Sequence, residues 1–307
     1  MRFELEYALV AVVARCVRIL PMPMARACGT ALGHAVYFVD RFHRRVALEN
    51  LAQAFPSRPE AERRAIARRM FVHFGRLLLE LMKFGSMSDA QILAHGEIEG
   101  VERAKQAYQE GRGVLFFTGH FGYWEMQAIA NALHLQPVSV LARPLDNPLL
   151  NTMLEGIRTG TGNSVIYRDG AIRRVLRELM ANHGVAILID QHLHSADAVY
   201  VDFFHRPAAT TSALAALALR TGAPVIPVFA LPLPRGRYRF VYERPVPPPR
   251  EDSPDAIREF TQRCTDVLEM YVRRDPSLWL WMHRRWRERD PALADEPVTL
   301  DNAGADA

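Results

Sequence analysis

The stretch G-V-L-F-F-T-G-H-F-G-Y-W-E, from Gly113 to Glu125, decides how the centre of the chain folds. Its first six residues form an apolar run typical of a buried strand. Gly119 permits a tight turn after that strand, and a helix is predicted over 123–133. The stretch therefore predicts a strand, a turn and a helix in immediate succession, with His120 in the turn.

The same alternation continues further along the chain. Strands are predicted at 138–142, 164–167, 184–190 and 224–229, helices at 172–181 and 211–220, and an outer strand at 237–242, where R-Y-R-F-V-Y alternates. Short apolar strands that alternate with helices indicate an α/β fold in which helices cover both faces of a sheet. We therefore expect a mixed central β-sheet flanked by helices.

The N-terminal region has a different character. Two apolar stretches, 7–17 and 24–39, contain arginines and precede a basic group at 41–45. Neither has the about 20 apolar residues that a membrane span needs, and no convincing cleavage site of a secretory signal follows. Both fit helices that lie in the cytoplasmic leaflet of a membrane, although ordinary core helices fit the same pattern.

These features divide the chain into three parts. We expect an N-terminal membrane-associated helical region at 1–45, an α/β domain at 46–290 and a flexible tail at 291–307, where the residues are small and acidic. Within the second part, packing helices are predicted at 60–84, from a 3.6-residue apolar period, and at 256–272.

The composition is that of an ordinary globular protein, with 49% hydrophobic and 23% charged residues and a formal net charge of +4. Its basic residues are almost all arginine, since Lys83 and Lys105 are the only lysines. Arginine binds phosphates bidentately, so an anionic lipid partner is compatible, but a GC-rich genome explains the bias equally well. The cysteines Cys16, Cys28 and Cys264 have no metal-site spacing and suggest reduced thiols.

His120 and Glu125 form an H-x4-E pair in the predicted turn and helix. Residues that follow the carboxyl ends of strands line the usual ligand crevice of such sheets. A carboxylate that reaches back to one imidazole nitrogen would leave the other nitrogen as a general base near neutral pH. The helix N-terminus supplies backbone N–H groups for an oxyanion. The spacing alone favours side chains that simply cap a helix, and the strand-turn-helix setting is what supports the catalytic interpretation.

Signatures of several other enzyme classes are absent from the sequence, which has no G-x-S-x-G, Walker A, H-E-x-x-H or dinucleotide G-x-G-x-x-G motif. The run D-Q-H-L-H, from Asp190 to His194, offers zinc-type ligands, but no further ligand group accompanies it. We therefore expect no metal at this run.

Six ordered blocks carry a resemblance to a known family. They are HFGYWE, ARPLDNPLLN (142–151), ILIDQH (187–192), VDFFHRPAATT (201–211), TGAPVIPVF (221–229) and WLWMHRRW (279–286). In this order, over about residues 5–290, the chain resembles the bacterial lipid A late acyltransferases of the lysophospholipid acyltransferase superfamily. One departure, at 192–195 after Asp190-Gln191, bears on which acceptor is used.

The resemblance implies transfer of a fatty acyl chain from acyl carrier protein or coenzyme A to a hydroxyl of a lipid A precursor. This reaction takes place at the cytoplasmic face of the bacterial inner membrane and needs no cofactor. In this sequence it implies His120 as the base and Glu125 as its partner. The substrate-binding positions would be Arg158, Asp190, Arg143 and Gln191.

Aromatic residues in two of the blocks have roles that the sequence leaves open. Phe203 and Phe204 are expected to form walls of an acyl pocket, with plain packing as the alternative. For the tryptophans and arginines of 279–286 we expect a position at the lipid headgroup layer or at the rim of the active site.

Three other functions remain to be compared with lipid A acylation. The same chemistry can serve another acceptor, such as a glycolipid, an aminolipid, a lysophospholipid or a phosphatidylinositol mannoside. A non-catalytic membrane-bound scaffold is a second alternative, which the intact site residues argue against. Hydrolysis of the acyl thioester, with water as the acceptor, is the third.

Overall fold

A seven-stranded sheet forms the centre of the computed structural model, which describes residues 1–167, 170–193 and 198–287. Its strands are β1 (Gly96–Glu99), β2 (Val114–Thr118), β3 (Val138–Leu141), β4 (Ser164–Ile166), β5 (Gly184–Leu188), β8 (Val225–Leu233) and β9 (Arg237–Tyr242), in the order β1-β9-β8-β2-β5-β3-β4. A separate antiparallel pair consists of β6 (Ala198–Asp202) and β7 (Pro207–Thr211).

The large sheet is mostly parallel. The five strands β8, β2, β5, β3 and β4 run in one direction, and β9 turns back antiparallel to β8. β1 pairs with β9 on its far side. The mixed sheet is therefore confirmed, but the prediction that 237–242 is an outer strand is wrong, because the unpredicted strand β1 forms that edge.

Helices cover both faces of the sheet. They are α1 (Arg2–Ile19), α2 (Met22–Val39), α3 (Arg41–Ala54), α4 (Glu60–Phe84), α5 (Asp89–Ala94), α6 (Val101–Gln109), α7 (Trp124–His134), α8 (Pro148–Thr159), α9 (Ala171–Met180), α10 (Ala213–Thr221) and α11 (Pro254–Arg274). Alternate residues of β2 point into different cores: Leu115 and Phe117 pack with α10 and α11, while Val114 and Phe116 pack with α6. This two-sided burial explains the continuous apolar run of the strand.

The first 45 residues do not form a separate body. The expected boundary at residue 45 lies inside α3, and α2 packs directly on α4. A Cβ atom on Gly29 would lie 2.7 Å from the Cα of Arg76, and one on Gly33 would lie 2.5 Å from the Cα of Val72. The two helices therefore touch backbone to backbone, which only glycine allows at these positions. The expected tail at 291–307 lies outside the described residues.

The N-terminal helices leave much apolar surface uncovered. Their exposed large apolar side chains are Phe3, Leu5, Tyr7, Leu9, Val12, Val13 and Ile19 on α1, Met24, Leu32, Val36, Phe38 and Val39 on α2, and Phe42 on α3. None of the helices in the described ranges combines the length and the apolar character needed to cross a bilayer.

A buried charged cluster joins these helices to the sheet. Glu80 on α4 is fully buried; its carboxylate accepts a hydrogen bond from the Tyr238 hydroxyl of β9 and lies 3.4 Å from the Arg26 guanidinium of α2. Burial raises the pKa of Glu80, although the hydrogen bond from Tyr238 and the charge of Arg26 oppose the shift. One side chain thus connects α2, α4 and β9.

Candidate active site

The turn after β2 is held from two sides. Gly122 adopts a φ of 61° and donates its N–H to the Leu278 carbonyl, while the Tyr123 N–H donates to the Ala230 carbonyl of β8. A side chain on Gly122 would collide with that same Ala230 carbonyl. His73, which burial keeps at a pKa of about 4, donates from Nε2 to the Gly122 carbonyl as a neutral imidazole. The backbone around His120 is therefore fixed.

Asp190 is the hydrogen-bond partner of His120. Its Oδ1 lies 2.8 Å from the imidazole Nδ1, and its Oδ2 accepts the backbone N–H of His120 at 2.7 Å. A Cβ atom on Gly119 would lie 2.8 Å from the same Oδ2, so glycine allows the carboxylate to approach the turn. Asp190, at the end of β5, therefore lies on the same rim of the sheet as His120 and is its direct partner, whereas the resemblance implied only a substrate-binding position.

Two residues that the sequence did not single out for this purpose complete the surroundings of Asp190. The indole Nε1 of Trp279 donates to Asp190 Oδ2 at 2.7 Å, and His283 Nε2 lies 3.1 Å from the Asp190 carbonyl oxygen. Trp279 and the Asp190 side chain are completely buried. Both new residues belong to the block W-L-W-M-H-R-R-W, whose density of tryptophan was the only sequence signal for them.

The pair shifts both pKa values toward the ionised forms. Burial opposes the charge on His120, but the Asp190 carboxylate outweighs it through its charge and its hydrogen bond, so the pKa of His120 is raised. Burial likewise opposes ionisation of Asp190, and the charge and hydrogen bond of His120 outweigh it, so the pKa of that carboxyl is lowered. Asp190 is therefore an ionised acceptor, and Nδ1 of the imidazole carries the proton.

The other ring nitrogen of His120 is available. Among the described residues Nε2 has no hydrogen-bond partner, and 15% of the side chain is exposed. The ring packs edge-on against the indole of Trp124, with centroids 5.2 Å apart. In the neutral imidazole this nitrogen carries a lone pair, because the proton is on Nδ1. The arrangement can remove a proton from a hydroxyl or water that approaches Nε2.

Glu125 does not bind the imidazole. Its two carboxylate oxygens accept hydrogen bonds from Nε and Nη2 of Arg158 on α8, at 2.8 and 2.5 Å, and Oε1 also accepts the Trp124 indole N–H at 3.2 Å. The expected contact with His120 is therefore wrong, because Arg158 occupies the carboxylate bidentately and Asp190 occupies Nδ1. The Glu125–Arg158 pair remains close enough for both charges to act on the pKa of His120.

Arg143 and Gln191 lie at the surface near this site. Arg143 follows β3, is largely exposed and makes one long contact of 3.5 Å with Asp146. Gln191 directly follows Asp190 and is also exposed. Neither side chain is held in place as Glu125 and Arg158 are, and a substrate-binding role for them stays a prediction.

Phe203 and Phe204 form part of a closed core, contrary to the expected acyl pocket. Phe203 stacks on Trp286 at a centroid distance of 5.8 Å, and Phe204 contacts the rings of Phe55 and Trp281. Both phenylalanines are almost fully buried. They lie in the turn between β6 and β7, a strand pair that the sequence did not predict. The plain-packing alternative describes their positions.

The tryptophan and arginine block is also interior for the most part. Trp281 is completely buried, and Arg285 is buried with its guanidinium donating to the Ala209 carbonyl and the Thr210 hydroxyl, both at 2.5 Å. Burial lowers the pKa of Arg285 to about 10. Trp281 and Arg285 therefore do not reach a headgroup layer, whereas Trp279 lies directly behind the site.

Of the possible metal ligands in D-Q-H-L-H, Asp190 and His192 lie within the described residues. The Asp190 carboxylate is occupied by His120 and Trp279, and His194 lies outside the described residues. Within the described part of the chain, no group of three or more His, Cys, Asp or Glu side chains is placed to bind a metal ion.

Comparison with known proteins gives one family. A profile described as "Bacterial lipid A biosynthesis acyltransferase" matches residues 3–288. The chain is 26% identical over 273 residues to the lipid A biosynthesis lauroyltransferase of Escherichia coli (strain K12), covering 88% of this chain and 87% of that protein. It is 22% identical over 275 residues to a phosphatidylinositol mannoside acyltransferase of Mycolicibacterium smegmatis, covering 89% of this chain and 88% of that protein.

The chain is also similar to solved structures. The crystal structure of a 1-acyl-sn-glycerophosphate acyltransferase from Thermotoga maritima gives a TM-score of 0.38 at 16% identity, covering 82% of this chain and 96% of that one.

Proposed function

Since the chain belongs to the bacterial lipid A biosynthesis acyltransferase family, we propose that it transfers a fatty acyl chain to a hydroxyl of a lipid A precursor. The donor is a thioester of acyl carrier protein or coenzyme A, and the base is His120. The observation that carries this proposal is the placement of the imidazole: Nδ1 is held by buried Asp190, and Nε2 is left open.

In this reaction His120 Nε2 takes the proton of the acceptor hydroxyl while the oxygen attacks the thioester carbonyl carbon. The ionised Asp190 stabilises the imidazolium that forms and keeps the ring in the required tautomer. Collapse of the tetrahedral intermediate breaks the C–S bond, and the imidazolium returns the proton to the departing thiolate. An ester and a free thiol result, and His120 is neutral again.

Glu125 and Arg158 act as a pair beside this base. The bidentate contact fixes the guanidinium, and its Nη1 has no partner among the described residues. A fixed arginine with an unused donor suits an anionic oxygen of the substrate, such as a phosphate of the acceptor. Glu125 is therefore a positioning residue for Arg158 rather than the hydrogen-bond partner of His120.

The site of the reaction is the cytoplasmic face of the bacterial inner membrane. Support comes from the exposed apolar side chains of α1, α2 and the start of α3. Arg15, Arg18, Arg41 and Arg45 are exposed in the same helices. Apolar patches of this extent mark interaction surfaces, and neighbouring arginines favour anionic lipids. We expect α1–α3 to lie on the bilayer and to present the crevice to lipid acceptors.

A different lipid acceptor is the second candidate function. It is favoured by the similarity to a phosphatidylinositol mannoside acyltransferase, which extends over 275 residues. The same base and thioester chemistry would serve that acceptor, so an assay must offer several lipids side by side.

The test is an acyl-transfer assay read by mass spectrometry. Purified protein receives acyl carrier protein and coenzyme A thioesters, together with a lipid A precursor and several lysolipids. His120→Ala should lower transfer by about 10²–10⁴-fold, the usual contribution of a general base. His183→Ala is the matched control, because His183 is exposed and precedes β5 at the opposite edge of the sheet.

The product decides between the candidates. An acyl chain on the lipid A precursor supports the first function, and a product on another lipid supports the second. Thioester hydrolysis without any acylated lipid would favour hydrolysis, whereas equal transfer by the wild type and His120→Ala would exclude His120 as the base.

A further inference from the structure

Three arginines of α9 form an exposed basic face. Arg173, Arg174 and Arg177 lie opposite the buried residues Val175 and Leu179 of this amphipathic helix. Among the described residues none of the three guanidinium groups has a hydrogen-bond or ion-pair partner. We call Arg173, Arg174 and Arg177 the α9 arginine face.

Several exposed arginines on other helices have an acidic partner on the same helix, although Arg15 and Arg18 on α1 and Arg68 and Arg69 on α4 have none among the described residues. Arg2 pairs with Glu6 on α1, Arg45 with Glu49 on α3, and Arg263 with Glu259 on α11, each one helical turn apart. On α9 the single acidic residue, Glu178, contacts His183 instead. With respect to residues 1–167, 170–193 and 198–287, the α9 arginine face thus has three charges without an acidic partner within about 6 Å of helix rise.

The position of this face relates it to the candidate active site. α9 follows β4, so its first turn begins at the carboxyl edge of the parallel strands, where His120 and Asp190 lie. β4 and β2 are three strand spacings apart, a distance of about 14 Å across the sheet. Arg143, which follows β3, is also exposed at this edge, but it forms an ion pair with Asp146 at 3.5 Å.

Apolar side chains at both ends of α9 extend the surface. Ile172 is 43% exposed and Met180 is 84% exposed. Arginine and methionine are enriched in protein interfaces. The surface is also a helix ridge rather than a cleft, whereas small ligands bind in concave sites. These features fit the surface of another protein better than they fit a nucleotide.

We propose that the α9 arginine face docks the acidic surface of acyl carrier protein and thereby delivers the acyl thioester to the edge of the sheet that holds His120. The proposal rests on the proposed function and adds to it the surface on which the carrier protein binds. Charge complementarity is the reason: a basic helix face without internal partners attracts an acidic protein over a distance and orients it on arrival.

Binding is measured first, because it does not depend on activity. Purified acyl carrier protein bearing an acyl chain is titrated into the wild type, Arg173→Glu and Arg177→Glu at low salt. Each charge reversal should weaken binding by about fivefold, and both together should remove most of the salt dependence. Arg220→Glu is the matched control, since Arg220 is exposed in the last turn of α10 at the opposite edge of the sheet.

Transfer rates then distinguish recognition of the carrier protein from recognition of the acyl thioester. The same variants are assayed with the carrier-protein donor and with a small acyl-pantetheine thioester. The loss in kcat/KM should be about fivefold greater with the carrier protein than with the small donor for each α9 variant. Arg220→Glu should show the same ratio as the wild type.

Several results would overturn the docking face. These are equal losses with both donors, equal weakening by Arg220→Glu, or loss of binding to anionic vesicles with carrier binding intact, which would assign the face to lipid. Absence of His120-dependent transfer would instead contradict the proposed function. The binding titration would still show whether the α9 arginine face binds acyl carrier protein.

Discussion

At the scale of single residues, Asp190 organises the site. One buried carboxylate holds the His120 backbone, the imidazole and the Trp279 indole. Its charge raises the pKa of His120. In the proposed mechanism His120 acts as a base when it is deprotonated, so transfer should rise with pH through this raised pKa.

Asp190→Asn tests this dependence. Removing the charge lowers the pKa of His120, so the acidic limb of the pH profile of kcat/KM should move to lower pH. The maximal rate should also fall by about 10²-fold or more, because the ring loses the acceptor that sets its tautomer. The measurement is a pH–rate profile of both proteins, and Asp255→Asn, an exposed carboxylate on α11, is the control. An unshifted acidic limb would show that Asp190 does not set the pKa of the base.

Strand register explains why part of the site could be predicted. Thr118 of β2 is paired with Leu188 of β5, so two residues further along His120 meets Asp190. Two strand ends in a parallel sheet were enough to expect this proximity. The partner of Glu125 could not be predicted in the same way, because Arg158 reaches it from α8, which is distant in sequence.

At the scale of elements, the crossing of α2 and α4 depends on glycine. Gly33→Ala should destabilise the protein by about 1–3 kcal/mol through overpacking. This loss should exceed the gain of about 1 kcal/mol in helix propensity. The free energy of unfolding and limited proteolysis of the N-terminal helices measure the effect.

Gly156→Ala provides the matched control for this change. A Cβ atom on Gly156 of α8 would meet open space, so the same substitution should be neutral or slightly stabilising. Similar destabilisation of both variants would mean that backbone contact between α2 and α4 is not the cause.

Elements with strong apolar patterns were predictable, and the exceptions have physical reasons. The helix expected at 60–84 has the observed bounds of α4, and the five apolar strands of the sheet are where the runs place them. β1 has the sequence G-E-I-E, which is short and half charged. It therefore contains no apolar run that would predict a strand, and it is found at the edge of the sheet. The turn between β6 and β7 places Phe204 and His205 at positive φ without glycine, which removes the usual hairpin signal.

At the scale of the whole molecule, the uncovered apolar surface of α1–α3 predicts membrane binding. Leu9 and Phe38 are both more than half exposed on these helices. Leu9→Glu and Phe38→Glu should each weaken binding to vesicles of anionic phospholipid by about tenfold, as expected when an apolar side chain no longer enters the bilayer. Co-sedimentation with vesicles is the measurement.

A variant with the same change of charge on another surface controls for repulsion by the lipid. Met270→Glu, at an exposed position on α11, should bind vesicles as the wild type does. Equal weakening in all three variants would point to charge alone and would argue against insertion of α1–α3.

The sequence indicated this apolar surface, but it did not indicate that α2 packs on α4. Runs of apolar residues ended by arginine are compatible with surface helices and with core helices, and both descriptions apply in part. Gly29 and Gly33 give α2 an inner side in contact with α4, while Phe38 remains outside. Only the packing of the folded chain separates the two sides.

The backbone contact between α2 and α4 also joins the surface helices closely to the rest of the fold. With α1–α3 resting on a bilayer as proposed, any tilt of these helices relative to the membrane tilts the whole molecule. The height and angle of His120 above the lipid are then built into the fold rather than adjusted for each substrate. Under the proposed function we therefore expect the enzyme to favour acceptors whose hydroxyl stands at this height above the membrane.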